Sequence, residues 1–309
     1  PRPRYGVYAP ICSRNGVAFF GRDSEATLPV WSAKDGYPGD PDYREFHRDL
    51  GWDLPLEQLS PLGLSEPRPL GLKLHRVTDH SAPLDQKQPY RPSIAAERIR
   101  HHASHYLKGR RRQLDQLSSG MTISPLLVAP FDAELFGHWW FEGPSFLAEL
   151  FRQGPSNGVP FTRLRDVLDG SQQLQLCDPC PSSWGQGGFH NYWLNDSNAW
   201  VVPEWERAGE AMVQRCSRGV AREADLQLLS QAARELLLAQ SSDWSFILRA
   251  GTTTGLARER IERHLERFWT LMAAMDGSSD LPEGWLEEVQ ADDRLFPLIQ
   301  PLDWAKVGS

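Results

Sequence analysis

The sequence has little of what marks several large protein classes. Four cysteines among 309 residues are too few for the disulfide framework of a small secreted scaffold, so we expect a reducing, cytoplasmic setting. No run approaches the roughly 18 apolar residues of a membrane span, and no signal peptide is recognisable. The net charge of −7 also disfavours a nucleic-acid partner, because phosphate binding needs a basic surface.

The sequence also lacks the motifs of nucleotide chemistry, since neither a Walker sequence nor GxGxxG occurs. The pattern GxSxG occurs as GPSNG at 154–158, but it follows a predicted helix and not the strand that precedes a nucleophile elbow. His101, His102 and His105 lie within about one helical turn, but no HExxH motif or outside ligand accompanies them. Cys177 and Cys180 form CDPC, which suits half of a zinc site, a redox pair or two loop thiols, and no second such pair follows at ligand spacing. We therefore expect neither a metal nor an organic cofactor.

What the sequence does contain is the composition of a folded globular protein, with 40% hydrophobic and 24% charged residues. The apolar patterns predict an α/β part that ends near residue 173. We predict strands at Gly16–Phe20, Gly71–Val77 and Ser124–Ala129, a long functional loop over 24–62, and a short strand and helix within Val159–Leu168. We predict two helices, one from Ser93 to Gly109 and one from Pro144 to Gly154.

After about residue 174 the pattern becomes helical. Three stretches place their apolar residues on one face at helical spacing. The faces are formed by Trp205, Ala208, Met212 and Cys216; by Leu226, Leu229, Ala233, Leu236 and Leu237; and by Leu256, Leu265, Phe268 and Met272. Three such helices can bury a core together, so we predict a separate helical part over residues 174–309.

The stretch PFDAELFGHWWFEGP, residues 130–144, is where chemistry is expected. Catalytic groups of parallel barrels lie where strands end, which is where Asp132 and the pair Arg22 and Asp23 fall. The rings around Asp132 would partly desolvate its carboxyl group and help it keep a proton, which suits a general acid, and Glu134 lies two residues further on. The alternative is that Asp132 only caps the next turn and that the rings are ordinary core.

Tryptophan gives a second signal, since the chain has twelve. Six of them lie in or beside polar, Gly-rich loops: Trp31, Trp139, Trp140, Trp184, Trp193 and Trp200. Flat rings beside Asp, Asn and Arg are how proteins bind sugars, because the ring covers the apolar face of a pyranose. The pattern therefore favours carbohydrate contact, although a loop tryptophan also serves as a plug over a core.

Five ordered blocks of the sequence resemble glycoside hydrolase family 57, and within it the 1,4-α-glucan branching enzymes. The blocks are GVAFFGRD at 16–23, VWS and GYPGDPDYREFHRD within 30–49, FDAELFGHWWFEGP at 131–144, SSWGQGGFHNYWLN at 182–195 and AARELLLAQSSDWSF at 232–246. The resemblance implies an α/β fold: part of a (β/α)₇ barrel over residues 1–173 with a helical insert around 85–120. It also implies that an all-helical C-terminal domain over 174–309 closes the active-site cleft.

The resemblance further implies roles for individual residues. Asp132 corresponds to the acid and base of a retaining double displacement that transfers an α-1,4-glucan, such as amylose or glycogen, to a 6-hydroxyl. The matched substrate contacts are Arg22, Trp31, Gly39, Trp184, Trp193 and Asp243, with Thr252 as a looser match. His138 and Trp140 belong to the same motif as Asp132 and are expected to shape the adjacent subsite.

One departure from the family pattern matters most. The family's nucleophile is a glutamate in an upstream block, and neither that block nor an earlier His-rich strand motif occurs here. We therefore expect the chain to carry one catalytic carboxyl group of two and to depend on an N-terminal barrel half that carries the glutamate. Two alternatives remain open, namely a family 57 amylase or 4-α-glucanotransferase, and a noncatalytic glucan-binding fragment.

Overall fold

A computed structural model describes residues 2–32, 34–170, 173–183, 186–219 and 222–308. The chain divides into two compact units, Pro1–Pro179 and Cys180–Ser309, close to the expected boundary at residue 173. The identity of these units as a partial barrel and a cleft-closing domain stays a prediction. Within the described residues, no helix is both long and apolar enough to cross a bilayer.

The first unit contains a small three-stranded sheet in the order β2-β1-β3. The strands are β1 (Ile11–Cys12), β2 (Ala18–Phe19) and β3 (Gln175–Leu176). Strand β1 pairs antiparallel with β2 and parallel with β3. The apolar side chains of Val17, Phe19 and Leu176 are exposed here.

Helices form most of the regular structure of the first unit. They are α1 (Ser24–Trp31), α2 (Leu50–Asp53), α3 (Leu56–Leu59), α4 (Pro92–Gly120), α5 (Gly143–Gln153) and α6 (Leu164–Asp169). The expectation of a parallel half-barrel is thus only partly met, because the chain by itself forms mainly helices around a very short sheet.

Three of the predicted strands are not found. Ser124–Ala129 is extended but forms no strand, because each neighbouring segment gives it a single backbone bond, from Leu126 N–H to Tyr8 and from Asp23 N–H to Val128. Its side chains are half-buried rather than covered on both faces. Gly71–Val77 forms only isolated bridges, and the described part of 159–168 contains no strand.

Helix α4 continues eleven residues past its predicted end at Gly109. A glycine inside a helix costs some stability but does not stop it when the flanking residues form helix well, as Lys, Arg, Gln and Leu do here. One side of α4 packs against α5, and both contribute to a core that includes Leu107 and Phe146. Helix α5 ends before Gly154, as predicted.

The segment 36–49, with the sequence GYPGDPDYREFHRD, lies over this core. Its Tyr37 and Tyr43 are buried among the residues of α4 and α5. Asp49 caps α2 by accepting the N–H of Gly51, and it also accepts the N–H groups of Leu70 and Gly71. These bonds fix the end of the segment, because a buried carboxylate needs its acceptor sites filled.

The second unit is helical, as predicted. Its helices are α7 (Val201–Ser217), α8 (Glu223–Ala239), α9 (Ser242–Ala250), α10 (Thr254–Met275) and α11 (Trp285–Asp292). The three predicted apolar faces form one core around Met212, Leu236 and Phe268. Leu256 was misplaced, since it lies in the first turn of α10 and is exposed.

The unbroken course of α4 through Gly109 makes a testable prediction. Gly109 has helical backbone angles and open space where a Cβ would lie, so Gly109→Ala should raise the free energy of unfolding by about 0.5–1 kcal/mol. The measurement is urea unfolding followed by circular dichroism.

Gly63→Ala is the matched control for this prediction. Gly63 also has open space, but its φ of +80° is left-handed, so an added Cβ should destabilise the protein by about 1 kcal/mol. Equal effects of the two substitutions would show that helix continuity at Gly109 is not what is being measured.

Candidate active site

Asp132 lies at the start of a loop, residues 130–142, called here the Asp132 loop. It follows the extended segment that ends at Ala129 and directly precedes a short 3-10 turn, Ala133–Leu135. The Asp132 side chain is exposed, and within the described residues it makes no capping bond to that turn. The carboxyl group is therefore available to a ligand, and the capping alternative finds no support.

Asp132 lines a cleft of about 710 Å³ in the first unit. A cleft of this size suits several sugar rings, since small-molecule sites commonly measure about 300–1,000 Å³. Its lining consists of Trp31, Lys34, Pro38, Arg44, Glu45, Phe46, His47, Val77, His80, Asp132, Glu134, Leu135 and Trp139. Of the predicted contacts, the cleft thus brings together Asp132 and Trp31.

One wall of the cleft is aromatic. The rings of Phe46 and Trp139 pack with centroids 4.4 Å apart, and His138 packs edge-on against Phe46. The Nε1–H of Trp139 donates to Glu134 Oε1 at 3.1 Å, which holds the indole in one orientation. Trp139 is 49% exposed and Trp31 is 41% exposed, so both offer ring surface to a ligand.

Sequence reasoning selected the 36–49 segment but missed the residues in it that line the cleft. Phe46 and His47 were not singled out, nor was His80 further along the chain. The available signal was the alternation of aromatic and charged residues in YREFHRD. That signal cannot show which side faces the cleft, because the segment forms no regular strand or helix.

Two residues expected near the chemistry have structural roles instead. Asp23 is 1% exposed, and its carboxylate caps α1 through the N–H of Glu25 and accepts a bond from Gln113. Trp140 is 1% exposed and packs against Tyr43 and Phe146. Trp140 therefore supports the Asp132 loop from beneath and does not offer its ring to a ligand in this structure.

The remaining predicted contacts of the first unit have mixed positions. Arg22 is exposed, and its Nη2 donates to the carbonyl oxygen of Pro130 at 3.3 Å, which places it beside the Asp132 loop. Gly39 lines a different hollow of about 670 Å³, together with Asp40, His102 and His105. Gly39 therefore does not line the Asp132 cleft in this structure, and its contact with a substrate stays a prediction.

Two histidines of α4 are bound to tyrosines. Tyr37 Oη lies 2.7 Å from His105 Nδ1, and Tyr43 Oη lies 2.8 Å from His102 Nδ1. Both tyrosines are buried, which raises their pKa and, for Tyr37, raises it to about 12, so both hydroxyl groups keep their protons. Each pair is therefore joined by one hydrogen bond that involves the Nδ1 atom of the histidine.

The expected desolvation of Asp132 is not seen within this chain. Its neighbours Phe131 and Phe136 pack edge-on against each other at 5.6 Å, while Asp132 remains exposed. Water exclusion at Asp132 would therefore need a covering surface in addition to these rings.

The second unit carries the other predicted contacts. Trp193 is half-buried just after the turn His190–Tyr192, which packs on α9 through a stack of Tyr192 on Phe246 with centroids 4.9 Å apart. Asp243 is exposed in the first turn of α9, and Thr252 is exposed in the turn that follows this helix. Trp184 lies outside the described residues.

A buried polar cluster in the second unit has the ligand types of a metal site. It joins Glu235, His264 and Asp293, whose side-chain atoms lie within 4.8 Å of one another. His264 Nδ1 lies 2.7 Å from Glu235 Oε2, and Arg267 binds Asp293 at 2.5 Å. Because the guanidinium already neutralises Asp293, this arrangement favours an ion network that joins α8 and α10 rather than a cation site.

Comparison with known proteins gives consistent results. The family model described as "1,4-alpha-glucan branching enzyme, C-terminal" matches residues 204–304. A 1,4-α-glucan branching enzyme of Thermococcus kodakarensis is 33% identical over 262 residues, which is 83% of this chain and 36% of that relative.

Solved structures match almost the whole chain. The α-amylase AmyC of Thermotoga maritima is 37% identical with a TM-score of 0.76, over 98% of this chain and 57% of that one. The family 57 branching enzyme of Pyrococcus horikoshii is 31% identical with a TM-score of 0.78, over 97% of this chain and 54% of that one. The Thermococcus kodakarensis enzyme, solved in complex with glucose and additives, is 31% identical with a TM-score of 0.77. The chain spans about half the length of these solved relatives.

Glu142, the last acid of the Asp132 loop, makes a pH-dependent prediction. It is 3% exposed, and burial raises its pKa above the ordinary value although the N–H of Arg44 donates to Oε1. A raised folded-state pKa means that the group's favourable contribution is complete below the unfolded pKa and is lost as pH rises through the folded pKa. At neutral pH, Glu142→Gln should therefore stabilise the protein by about 1 kcal/mol.

The gain from Glu142→Gln should disappear below about pH 4, measured by urea unfolding at several pH values. Glu66→Gln, at an exposed position, is the control and should change stability by less than about 0.5 kcal/mol at any pH. A loss of stability in Glu142→Gln at neutral pH would mean that the ionised carboxylate is needed in the folded state.

Proposed function

Because this chain belongs to glycoside hydrolase family 57, as a homologue of its 1,4-α-glucan branching enzymes, we propose that it forms the acid/base half of such an enzyme. One observation carries the proposal: Asp132 is exposed in an aromatic-lined cleft large enough for a glucan. Its carboxyl group would protonate the oxygen of an α-1,4 bond and then activate the 6-hydroxyl of an acceptor glucan.

A retaining transfer needs a second carboxylate as nucleophile, about 5 Å from the first. We assign that nucleophile to polypeptide that corresponds to the N-terminal half of the relatives, since the blocks in this chain match the other half. In the proposed complete enzyme, the short sheet of the first unit is part of a (β/α)₇ barrel. The same additional half would supply the covering surface that excludes water from Asp132.

The glucan is proposed to bind through ring faces. Trp31 and Trp139 expose indole surface in the cleft, which suits the apolar faces of glucose units. Arg22, beside the Asp132 loop, is proposed to bind glucan hydroxyl groups. Trp193, Asp243 and Thr252 of the helical unit remain proposed contacts, as does Trp184. A cytoplasmic location also remains a proposal.

Three other functions compete with this one. AmyC, the relative with 37% identity, is an α-amylase, so hydrolysis of α-1,4 bonds is the main enzymatic alternative. Transfer to a 4-hydroxyl is a second, and a noncatalytic glucan-binding role is the third. Branching predicts new α-1,6 linkages, hydrolysis predicts new reducing ends without branches, and a binding role predicts neither.

Binding tests the cleft directly in the chain as it exists. Trp31→Ala should weaken binding of maltoheptaose about tenfold, because a ring stacked on a sugar contributes about 1–1.5 kcal/mol. The measurement is isothermal titration calorimetry. Trp52→Ala is the matched control, since Trp52 is exposed in the same unit but does not line the cleft, and it should bind like the native chain.

Substitution of Asp132 and of Glu134, both in the Asp132 loop, should affect activity to different extents. The assay mixes this chain with the N-terminal half of the Thermococcus kodakarensis relative, adds amylose, and counts α-1,6 linkages after debranching. Asp132→Ala should lower activity at least about 1,000-fold, because it removes the proton donor. Glu134→Ala should lower it only about tenfold, because Glu134 orients Trp139.

Equal, mild losses in both variants would mean that Asp132 is not the acid. Reducing ends without branches would favour the amylase. Maltoheptaose binding that survives Asp132→Asn, together with no turnover by the mixed halves, would favour the binding role.

A further inference from the structure

Lys87 is a buried cation just outside the cleft. Its side chain is 4% exposed, and its Nζ lies 2.7 Å from Glu45 Oε2, whose side chain is 8% exposed. The same ammonium donates to the carbonyl oxygens of Val77 at 2.7 Å and Asp79 at 2.8 Å. All three protons of the ammonium group thus have acceptors, as a buried lysine requires.

These acceptors belong to a ladder of three irregular segments, called here the first (42–45), the second (74–79) and the third (87–90). The N–H of Glu45 donates to His75 and the N–H of Val77 donates to Tyr43, which pairs the first segment with the second. The N–H of Tyr90 donates to Leu74, which adds the third. No continuous strand pairing connects the three segments, and Lys87, on the third segment, binds groups of both others. Arg76, on the second segment, does the same through Asp42 and Gln88.

The ladder forms one wall of the cleft. Glu45 and Val77, which Lys87 binds, both line it, whereas Lys87 does not. Phe46 directly follows Glu45, and its ring packs on Trp139 at 4.4 Å. Trp139 in turn donates to Glu134, two residues from Asp132. Direct contacts therefore lead from Lys87 to the loop that carries the candidate acid.

The charges of the pair depend on each other. Burial by itself would raise the pKa of Glu45, but bonds from Lys87 and from the N–H of His47 hold that pKa below its ordinary value. Removing the ammonium would leave a buried carboxylate without its counter-ion, which is among the most costly changes in a folded protein. The ladder would then have to open to admit water.

From this geometry we infer that Lys87 is a positioning residue of the glucan cleft: through Glu45 and the ladder it holds Phe46, and thereby Trp139, in place to receive a sugar ring. The inference rests on the proposed function for the identity of the ligand. Lys87 touches no substrate, and no role for it follows from the motif around Asp132.

Hydrogen exchange measured by mass spectrometry or NMR on Lys87→Met tests the positioning role without any ligand. The amides of Glu45, Val77 and Tyr90 should exchange at least about tenfold faster, while the amides of α4 stay unchanged. Arg163→Met is the matched control, because Arg163 forms an exposed pair with Asp166 in the same unit, and it should leave the ladder protected. Unchanged ladder protection in Lys87→Met, or equal acceleration in α4, would overturn the inference.

Glu45→Gln/Lys87→Met keeps the test decisive if the single variant does not fold, because it leaves no unpaired charge. Its ladder amides should still exchange faster, since methionine cannot bind the carbonyl groups of Val77 and Asp79. Native protection in this variant would overturn the inference.

Maltoheptaose binding then tests whether the order of this wall affects the affinity for a ligand. Lys87→Met, at a temperature where circular dichroism shows it folded, should bind about tenfold more weakly than the native chain, with Arg163→Met unaffected. Native affinity in Lys87→Met would overturn the inference and leave the proposed function intact. Failure of the native chain to bind would refute the proposed function, and the exchange pattern alone would then decide the role of Lys87.

Discussion

The packing of Trp140 against Tyr43 and Phe146 is the contact on which the first unit depends. It joins the Asp132 loop and the adjacent helix α5 to the 36–49 segment, which lies far earlier in the sequence. Because a buried indole contacts many neighbours at once, it fixes the position of the Asp132 loop relative to the core. The exposure of Asp132 follows from the burial of Trp140 eight residues later.

The cleft is assembled from segments with almost no regular structure. The candidate acid directly precedes a 3-10 turn, and one wall of the cleft is a ladder of isolated bridges. Side-chain hydrogen bonds hold these segments together where a sheet would use backbone hydrogen bonds. Asp49 and Lys87 each bind backbone groups of other segments. Substitution of these side chains should therefore disturb the wall, because no continuous backbone pairing would hold the segments together without them.

The prediction from sequence found α4, α5 and the helices that form the core of the second unit, but the long loop expected over 24–62 contains α1, α2 and α3. Helical periodicity predicted the helices of the second unit, and the resemblance of the motif around Asp132 to the family predicted where a candidate acid lies. Asp23 was misread because a buried carboxylate that caps a helix and a catalytic carboxylate look alike in sequence. Lys87 was missed because its importance arises only when three distant segments meet around one ammonium group. The prediction of a strand at Ser124–Ala129 was wrong because strand pairing depends on neighbouring segments that a local sequence pattern does not reveal.

The hydrogen bond from Trp139 to Glu134 also determines which groups the aromatic wall offers to a ligand. With its only hydrogen-bond donor engaged by that carboxylate, the indole presents just a smooth apolar face. A polymer resting on such a face is held by shape rather than by the pattern of its hydroxyl groups, and each repeating unit fits as well as the next. In the proposed complex, a glucan would therefore shift by one unit at small cost, so the strength of binding and its register would be separate properties of this cleft.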